Sequence, residues 1–357
     1  MKGELAMLSV RVVVRAAVVA AVVSVALASA ASAAVNIVTV LVGDPGNAGE
    51  VSGAGAGGSG PSRICGAVAY SYNIGKYEVT AGQYTAFLNS MAKTDTYGLY
   101  STDMWSTIYA GSGITRSGSS GTYAYSVASD FVNRPVNYVN WGDAARFANW
   151  LHNGQPTGAQ GLLTTEDGAY YLNGATTDAQ LLAVSRKAGA KWAITSEDEW
   201  YKAAYYKGGS TNAGYWDYPT SSNTGPGRDM ADVSGNNANI DAGLPYLPYP
   251  IDSGRYTTVG GEFQNSDSPY GTFDQGGNVR EWNEAIITDG GTYRGLRGGS
   301  YSSMDVYDTC AADRHSFSQT SEYSAFGFRV VEVPEPATMS LLALGGLALA
   351  ARRRGRK

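Results

Sequence analysis

The stretch from residue 207 to residue 270 shows neither helical nor strand periodicity, and glycine, asparagine, proline and tyrosine dominate it. An irregular segment of this length is uncommon inside a compact domain unless something fixes its loops. A bound ion is one common way, because loop carbonyl and carboxylate oxygens bind hard cations such as calcium. The segment therefore limits the fold to one with few regular elements.

Capping chemistry predicts three short helices elsewhere in the chain. Thr80 is followed three residues later by Gln83, and Asn140 by Asp143, which is the spacing of a capping box before an amphipathic run. Thr195 opens a third helix, whose acidic first turn suits the positive end of the helix dipole. Short strand-like runs are YNIGKYEV, RPVNYV, KWAI, TYRGLRGG and FGFRVVEV. We therefore predict an irregular, loop-rich α+β domain with short helices and small antiparallel sheets.

Residues 1–34 have the order of a secretory signal. Lys2, Arg11 and Arg15 stand ahead of an unbroken apolar run, which closes on the small residues of the range 31–33. This order predicts export and removal of the segment.

Residues 334–357 carry a second targeting pattern, in which a Pro-Glu-Pro motif, an apolar stretch at 337–350 and a basic cluster follow one another. The apolar stretch is shorter than the roughly 20 residues of a membrane-spanning helix, which favours transient membrane association. The pattern closely resembles the PEP-CTERM sorting signal. That resemblance implies an exosortase as partner, a Gram-negative source, and a destination on the outer surface or in the exopolysaccharide-rich extracellular matrix.

The body between these ends divides into two parts by composition. Residues 35–64 include a run rich in glycine and small residues, which predicts a flexible leader, and residues 65–333 have the uniform composition of a single domain. Eight of the 26 Lys and Arg residues lie in the terminal targeting segments, so the body is strongly acidic. Nucleic acid is therefore excluded as a partner, because binding phosphates needs a basic face.

The chain has two cysteines, Cys65 and Cys310. Two thiols of an exported protein often pair, and a bond between these two would close a long loop. The sequence does not show that they meet, so a disulfide and two free thiols both stay open.

Six separated segments, in order along the chain, carry a second resemblance. They are IGKYEVTAGQYTAFLN (74–89), RPVNYVNWGDAARFANWL (134–151), ITSEDEWYKAAYY (194–206), YGTFDQGGNVREW (270–282), LRGGSY (296–301) and GFRVV (327–331). Together they look like the formylglycine-generating-enzyme, or sulfatase-modifying-factor, family. The resemblance implies an irregular α+β fold related to C-type lectins, with calcium ions fixing long loops.

The resemblance also implies calcium ligands. One site is assigned to Asp274, Gly277, Val279 and Glu281, and a second to Asn239 and the carbonyl of Ile240, with Asp252 as a candidate partner. Two carboxylates and loop carbonyls within eight residues suit a calcium ion on chemical grounds as well. The alternative is that Asp274 caps a turn and Glu281 lies on a solvated strand. One departure from the family pattern is Arg280, where a tryptophan is expected.

The resemblance does not extend to the catalytic centre. Active members oxidise a cysteine of a sulfatase to formylglycine with oxygen and a copper ion, which two cysteines hold shortly after the RGGS turn. Here the first of those positions is Ser303, and the next turn offers no sulfur. Copper(I) selects soft thiolates, and a hydroxyl does not replace them. We therefore expect no copper centre.

Other chemistries receive little support. Cys310 and His315 lack an orienting third group for a nucleophile and base pair, and with only two histidines, His152 and His315, a non-haem iron centre is excluded. Glu281 and Glu284 are explained by calcium binding and surface solvation rather than as a glycosidase pair.

Aromatic residues of the irregular segment, Tyr215, Trp216 and Tyr218, are candidates for a ligand surface, because aromatic rings bind sugars. The leading prediction is a surface-sorted, catalytically inactive family member that acts as a calcium-stabilised binding or structural module, with a glycan or a matrix protein as partner. The alternative is an oxidoreductase related to the sulfatase-activating enzymes.

Overall fold

The computed structural model describes residues 34–108, 110–243, 251–252 and 254–334. Apart from one residue of each, the predicted signal (1–34) and sorting segment (334–357) lie outside the described residues. Within the described part, no helix is both long enough and apolar enough to cross a membrane.

Each of the four α-helices described begins with a reciprocal capping box. They are α1 (Ala81–Met91), α2 (Trp141–His152), α3 (Asp178–Leu182) and α4 (Glu197–Tyr205). The predicted caps at Thr80 and Asn140 are confirmed. The predicted start at Thr195 is wrong by one residue. Ser196 caps α4, because its Oγ accepts from Glu199 N at 3.1 Å while Glu199 Oε2 accepts from Ser196 N at 2.7 Å.

Twelve short strands in the described residues form four small sheets. They are β1 (Thr39–Val42), β2 (Glu50–Ser52), β3 (Arg63–Cys65), β4 (Tyr72–Gly75), β5 (Ile114–Ser117), β6 (Ala124–Val127), β7 (Trp192–Ile194), β8 (Arg280–Thr288), β9 (Thr292–Arg297), β10 (His315–Phe317), β11 (Phe326–Gly327) and β12 (Val330–Glu332). The strand orders are β1-β4-β12-β7 and β10-β9-β8-β11, with β2-β3 and β5-β6 as separate pairs. All pairings are antiparallel except β11 with β8. The predicted loop-rich α+β fold is confirmed.

An aromatic cluster joins the two longer helices to the segment between β11 and β12. Phe147 of α2 has its ring centroid 5.3 Å from that of Phe87 of α1 and 5.4 Å from that of Phe328. Tyr84 and Trp150 complete the cluster, with centroids 6.1 Å and 5.7 Å from that of Phe147. These side chains are almost wholly buried, so the apolar faces of both helices are used to build the core.

The prediction of a flexible leader over residues 35–64 is wrong. Strand β1 lies at the edge of the first sheet and pairs with β4, and β2 pairs with β3. The glycines of this segment are needed for close packing rather than for flexibility: a Cβ on Gly58 would lie 2.1 Å from the carbonyl oxygen of Ala312, and one on Gly60 2.5 Å from that of Arg314. Composition alone does not distinguish glycine used for close approach from glycine used for mobility.

Short polar side chains fix the described part of the irregular segment. Asn237 Oδ1 accepts from Asp229 N at 3.1 Å, and Asn237 N donates to Ser266 Oγ at 3.0 Å. Thr220 Oγ1 donates to Asn236 Oδ1 at 2.6 Å. Asparagine and serine side chains thus take the place of the backbone ladder that the segment lacks.

Candidate functional site

The predicted calcium loop places Glu281 at the start of β8, where its carboxylate is wholly buried. Arg329 donates to both carboxylate oxygens, Nη2 to Oε1 and Nε to Oε2, each at 2.6 Å. The indole Nε1 of Trp200 donates to Oε2 at 2.7 Å. Glu281 therefore lies in a charge-assisted hydrogen-bond network, and not on the solvated strand of the alternative interpretation.

Asp274 lies beside this ion pair and is partly buried. Its Oδ2 accepts from Gly261 N at 2.7 Å, and its backbone has a positive φ of 60°. Burial raises the pKa of Asp274 to about 6, against the lowering effects of that hydrogen bond and of Arg329. Asp274 thus lies close enough to Glu281 and Arg329 to interact with both electrostatically, and calcium binding by the two carboxylates stays a prediction.

Glu78 is a third carboxylate near Arg329, and it was not predicted from the sequence. Its side chain is buried, and its Oε1 has no hydrogen-bond partner among the described residues. Burial raises the pKa of Glu78 well above its ordinary value, and the nearby Asp274 and Glu281 carboxylates raise it further. A glutamate inside the strand-like run YNIGKYEV was the available signal, because a buried carboxylate needs a partner.

The residues of the second predicted site, Asn239 and Ile240, form part of a different network, centred on Asn278. Asn239 forms an isolated parallel bridge with Gly277, and its carbonyl oxygen accepts from Asn278 N at 2.9 Å. Asn278 Oδ1 accepts from Asn239 Nδ2 at 3.2 Å and from Thr258 N at 2.9 Å. Both Asn239 and Ile240 are buried. The network ties the irregular segment to the predicted calcium loop by direct hydrogen bonds.

The two remaining residues predicted for the calcium sites, Asp252 and Val279, lie in different environments. Asp252 forms an ion pair with Arg134 at 2.5 Å and a longer one with Arg255 at 3.6 Å. Val279 is wholly buried immediately before β8. Asp252 is thus engaged by arginines, which explains its presence without an ion.

Asn278→Ala is expected to lower the free energy of unfolding by about 2–3 kcal/mol more than Asn265→Ala, because it leaves buried donors of the network unpaired. The two positions are matched, since both asparagines have a positive φ, 56° and 57°. Asn265 is exposed and donates one hydrogen bond, to Val233 O. Urea denaturation of both variants measures the difference. Equal losses would show that the strained backbone, and not the network, accounts for the effect.

The turn after β9 contains Ser303 at the position expected for the first copper cysteine. Ser303 is buried, and its Oγ accepts from Ser300 N at 3.0 Å. Its carbonyl oxygen accepts from the backbone N–H groups of Asp241 and Ala242, at 3.1 Å and 2.9 Å. The hydroxyl of Ser303 thus closes the turn, and its carbonyl holds the irregular segment.

Neither cysteine forms a disulfide. Cys65 is wholly buried at the end of β3, with Arg297 Nη2 at 3.4 Å and Arg63 Nη1 at 3.5 Å from its sulfur. Cys310 is half-buried. Burial raises the pKa of both thiols, so each holds its proton at neutral pH.

The family assignment follows from a match between a family model and most of the chain. Residues 51–333 match the sulfatase-modifying factor enzyme 1-like domain. The chain belongs to the sulfatase-modifying factor family. Residues 332–354 match the PEP-CTERM protein-sorting motif, which indicates export, recognition by exosortase-type machinery and sorting to the cell surface.

Three solved structures resemble this sulfatase-modifying factor chain at low identity. Treponema denticola variable protein 1 is 20% identical with a TM-score of 0.48, covering 83% of this chain and 95% of that chain. CarF is 21% identical with a TM-score of 0.47, covering 84% and 99%. PvdO from Pseudomonas aeruginosa is 18% identical with a TM-score of 0.43, covering 77% and 85%. No curated protein matches the chain.

The two side-chain pairs that the sequence offered for catalysis, Cys310 with His315 and Glu281 with Glu284, have other contacts in this sulfatase-modifying factor chain. His315 Nε2 lies 2.6 Å from Asp313 Oδ2, so the group next to the imidazole is a carboxylate and not a thiol. Glu284 Oε1 accepts from Arg186 Nε at 2.8 Å, while Glu281 pairs with Arg329. The two glutamates therefore belong to separate ion pairs, which is not the arrangement of an acid and a nucleophile across an open cleft.

The predicted ligand aromatics have largely structural contacts. The ring of Tyr215 lies 4.9 Å from that of Tyr206, and its hydroxyl donates to Ala48 O at 2.7 Å. Tyr218 is buried, whereas Trp216 is half-buried with Lys207 Nζ 4.5 Å from its ring centroid. Ligand binding by the three stays a prediction, and Trp216 is the member whose ring meets a charged surface side chain.

Proposed function

We propose that this exported sulfatase-modifying factor relative is catalytically inactive and acts as a calcium-stabilised binding or structural module on the outer surface or in the extracellular matrix, with a glycan or a matrix protein as partner. The observation that carries the proposal is Ser303, which stands where the family's first copper cysteine is expected and uses its hydroxyl inside the turn. A hard hydroxyl that already accepts a backbone hydrogen bond is a poor ligand for copper(I).

The state of the two cysteines supports the same conclusion. Copper binds the thiolate, and burial keeps both thiols protonated by raising the pKa of each. Cys65 is wholly buried, so a peptide substrate does not reach its sulfur in this conformation. The chain has no cysteine besides Cys65 and Cys310.

The inactivity is tested by incubating the purified full chain with copper, oxygen and a cysteine peptide from a sulfatase. Mass spectrometry should find the peptide unchanged, whereas an active formylglycine-generating enzyme in a parallel reaction should exchange SH and H of the cysteine for a carbonyl oxygen. Formation of the formylglycine peptide by this chain would overturn the proposal and favour the oxidoreductase alternative.

The calcium part of the proposal is supported by the charges around Arg329. Glu78, Asp274 and Glu281 face this one guanidinium, so the buried group holds more acid than base, and Glu78 Oε1 has no hydrogen-bond partner in the part of the chain that the structure describes. Carboxylate oxygens of this kind are the hard donors that calcium prefers. We propose that Asp274 and Glu281 hold the ion with the carbonyls of Gly277 and Val279, and that the bound ion supplies the positive charge that this group lacks.

Calcium is therefore expected to raise the Tm by about 5 °C relative to the same protein in chelator. Asp274→Asn removes one charged ligand and should abolish the difference. The matched control is Asp289→Asn in the exposed turn between β8 and β9, which should keep it. Identical melting curves of the wild-type protein with and without chelator would contradict calcium binding, and would leave the peptide assay as an independent test of inactivity.

A further inference from the structure

A second group of ligand-type side chains lies away from the calcium loop. One atom each of Asp308, Asp313 and His315 lies within 4.8 Å of the others. Asp308 belongs to the 3₁₀ turn Val306–Thr309, and His315 opens β10. The chain that follows the RGGS turn therefore brings two carboxylates and an imidazole together.

In each carboxylate, one oxygen is engaged by the protein and the other faces the imidazole. Asp308 Oδ2 accepts from Arg280 Nη2 at 2.7 Å, and its Oδ1 lies 4.0 Å from His315 Nε2. Asp313 Oδ1 accepts a long hydrogen bond from Ser59 N at 3.4 Å, and its Oδ2 lies 2.6 Å from His315 Nε2. His315 Nε2, Asp308 Oδ1 and Asp313 Oδ2 thus lie close to one another.

Two of these three atoms are buried without a hydrogen bond. Asp313 is 6% exposed, and its Oδ2 has no hydrogen-bond partner among the described residues. The same holds for His315 Nε2, because the 2.6 Å contact between them does not have hydrogen-bond alignment. Asp313 Oδ2 is in ion-pair contact with His315 Nε2, but a buried carboxylate oxygen without an aligned hydrogen bond is still costly. A cation bound by both atoms, to one side of the line that joins them, would satisfy both.

The donor set indicates which class of cation fits. One imidazole nitrogen with two carboxylate oxygens suits zinc and related divalent transition ions better than calcium, which prefers oxygen ligands only. Arg280 offsets one of the two negative charges, so the cluster keeps a net negative charge when the imidazole is neutral. The side chains of Asp308 and His315 are 29% and 33% exposed, which lets an ion enter from solvent.

We propose that Asp308, Asp313 and His315 bind one divalent transition-metal ion. The ion joins the 3₁₀ turn to the start of β10 and so fixes the segment that follows the RGGS turn. Three protein ligands leave coordination positions open on the solvent side, for water or for a donor of a partner molecule.

The test is a calorimetric titration of the metal-free full chain, in detergent, with zinc chloride in calcium-saturated buffer. Calcium occupies any calcium loop, so the titration reports on the second site alone. The wild-type chain is expected to bind one zinc ion, and Asp308→Asn and His315→Ala should each weaken binding at least about tenfold. Cobalt(II) should give a visible absorption band that is absent in His315→Ala.

The matched control is His152→Ala, which removes the only other histidine and should leave the zinc affinity unchanged. Circular dichroism of the metal-free variants checks that they are folded, and the partly exposed positions 308 and 315 should tolerate the changes. The proposal is overturned if the wild-type chain binds no zinc stoichiometrically, or if His315→Ala binds it as the wild type does.

Discussion

Glu197→Gln is expected to lower the free energy of unfolding by about 3–5 kcal/mol, because it leaves buried arginines without their carboxylate. Glu197 is buried at the first turn of α4. Arg297 Nη2 donates to its Oε1 at 2.7 Å, and Arg314 Nη2 donates to its Oε2 at 2.8 Å. Arg297 is also the first residue of the RGGS turn, so the variant should weaken the turn together with the fold. Chemical denaturation at neutral pH measures the loss.

The control for this prediction is Asp198→Asn, the next residue of the same helix. Asp198 pairs with Arg63 at 2.6 Å, but both side chains are partly exposed, and we expect a loss of about 1 kcal/mol or less. A Glu197→Gln loss as small as that of Asp198→Asn would contradict the importance of the buried pairs.

The contribution of Glu197 should also depend on pH. Burial by itself would raise the pKa of Glu197, but Arg297 and Arg314 outweigh burial and hold this pKa at about 2. Because the pKa is lower in the folded than in the unfolded chain, the stabilisation is complete above the ordinary value of 4.5 and is lost as the pH falls towards 2. The stability difference between wild type and Glu197→Gln should therefore shrink as the pH is lowered from 6 to 4 by about 1 kcal/mol.

Phe147→Ala is expected to lower the free energy of unfolding by about 3–5 kcal/mol, since it opens a cavity in the aromatic cluster that joins α1, α2 and the segment between β11 and β12. Phe147 is wholly buried, and its ring contacts those of Tyr84, Phe87, Trp150 and Phe328. The surrounding rings are large and fixed by helix and strand backbones, so they collapse poorly into the space. Thermal and urea denaturation of the variant measure the loss.

Phe317→Ala is the matched control, because the same atoms are removed from a ring that is 42% exposed. It contacts only Tyr323 and Phe326 among the described aromatic rings, and we expect a loss of about 1 kcal/mol. Similar losses for both variants would show that the cluster is not the main apolar core.

Local chemistry made part of the fold predictable. The capping boxes at Thr80 and Asn140 depend on residues three positions apart, and both form as predicted. The same signal from Thr177 to Gln180 caps α3, a helix that the sequence analysis did not predict because its five residues show little periodicity. The ordered segment 35–64 was mistaken for a leader, because its glycines are explained only by distant backbone that approaches them.

For the candidate calcium loop, the sequence indicated only the residues that lie close together along the chain. Asp274 and Glu281 lie close together because only six residues separate them in the sequence. Arg329 and Glu78 lie far away in the sequence and reach Glu281 only through the folded sheets, so no spacing rule indicates them. Arg280 was recognised as a departure from the family pattern, but its ion pair with Asp308 depends on the path of the chain after the RGGS turn.

Strand β12 has a consequence for how the sorting motif can be reached. It lies inside the first sheet between β4 and β7, with Val330 and Val331 wholly buried, and it ends at Glu332. Pro336 is four residues further along the chain, a distance of at most about 14 Å when fully extended. Sorting machinery that recognises this motif therefore has only a short spacer between its binding site and the folded domain.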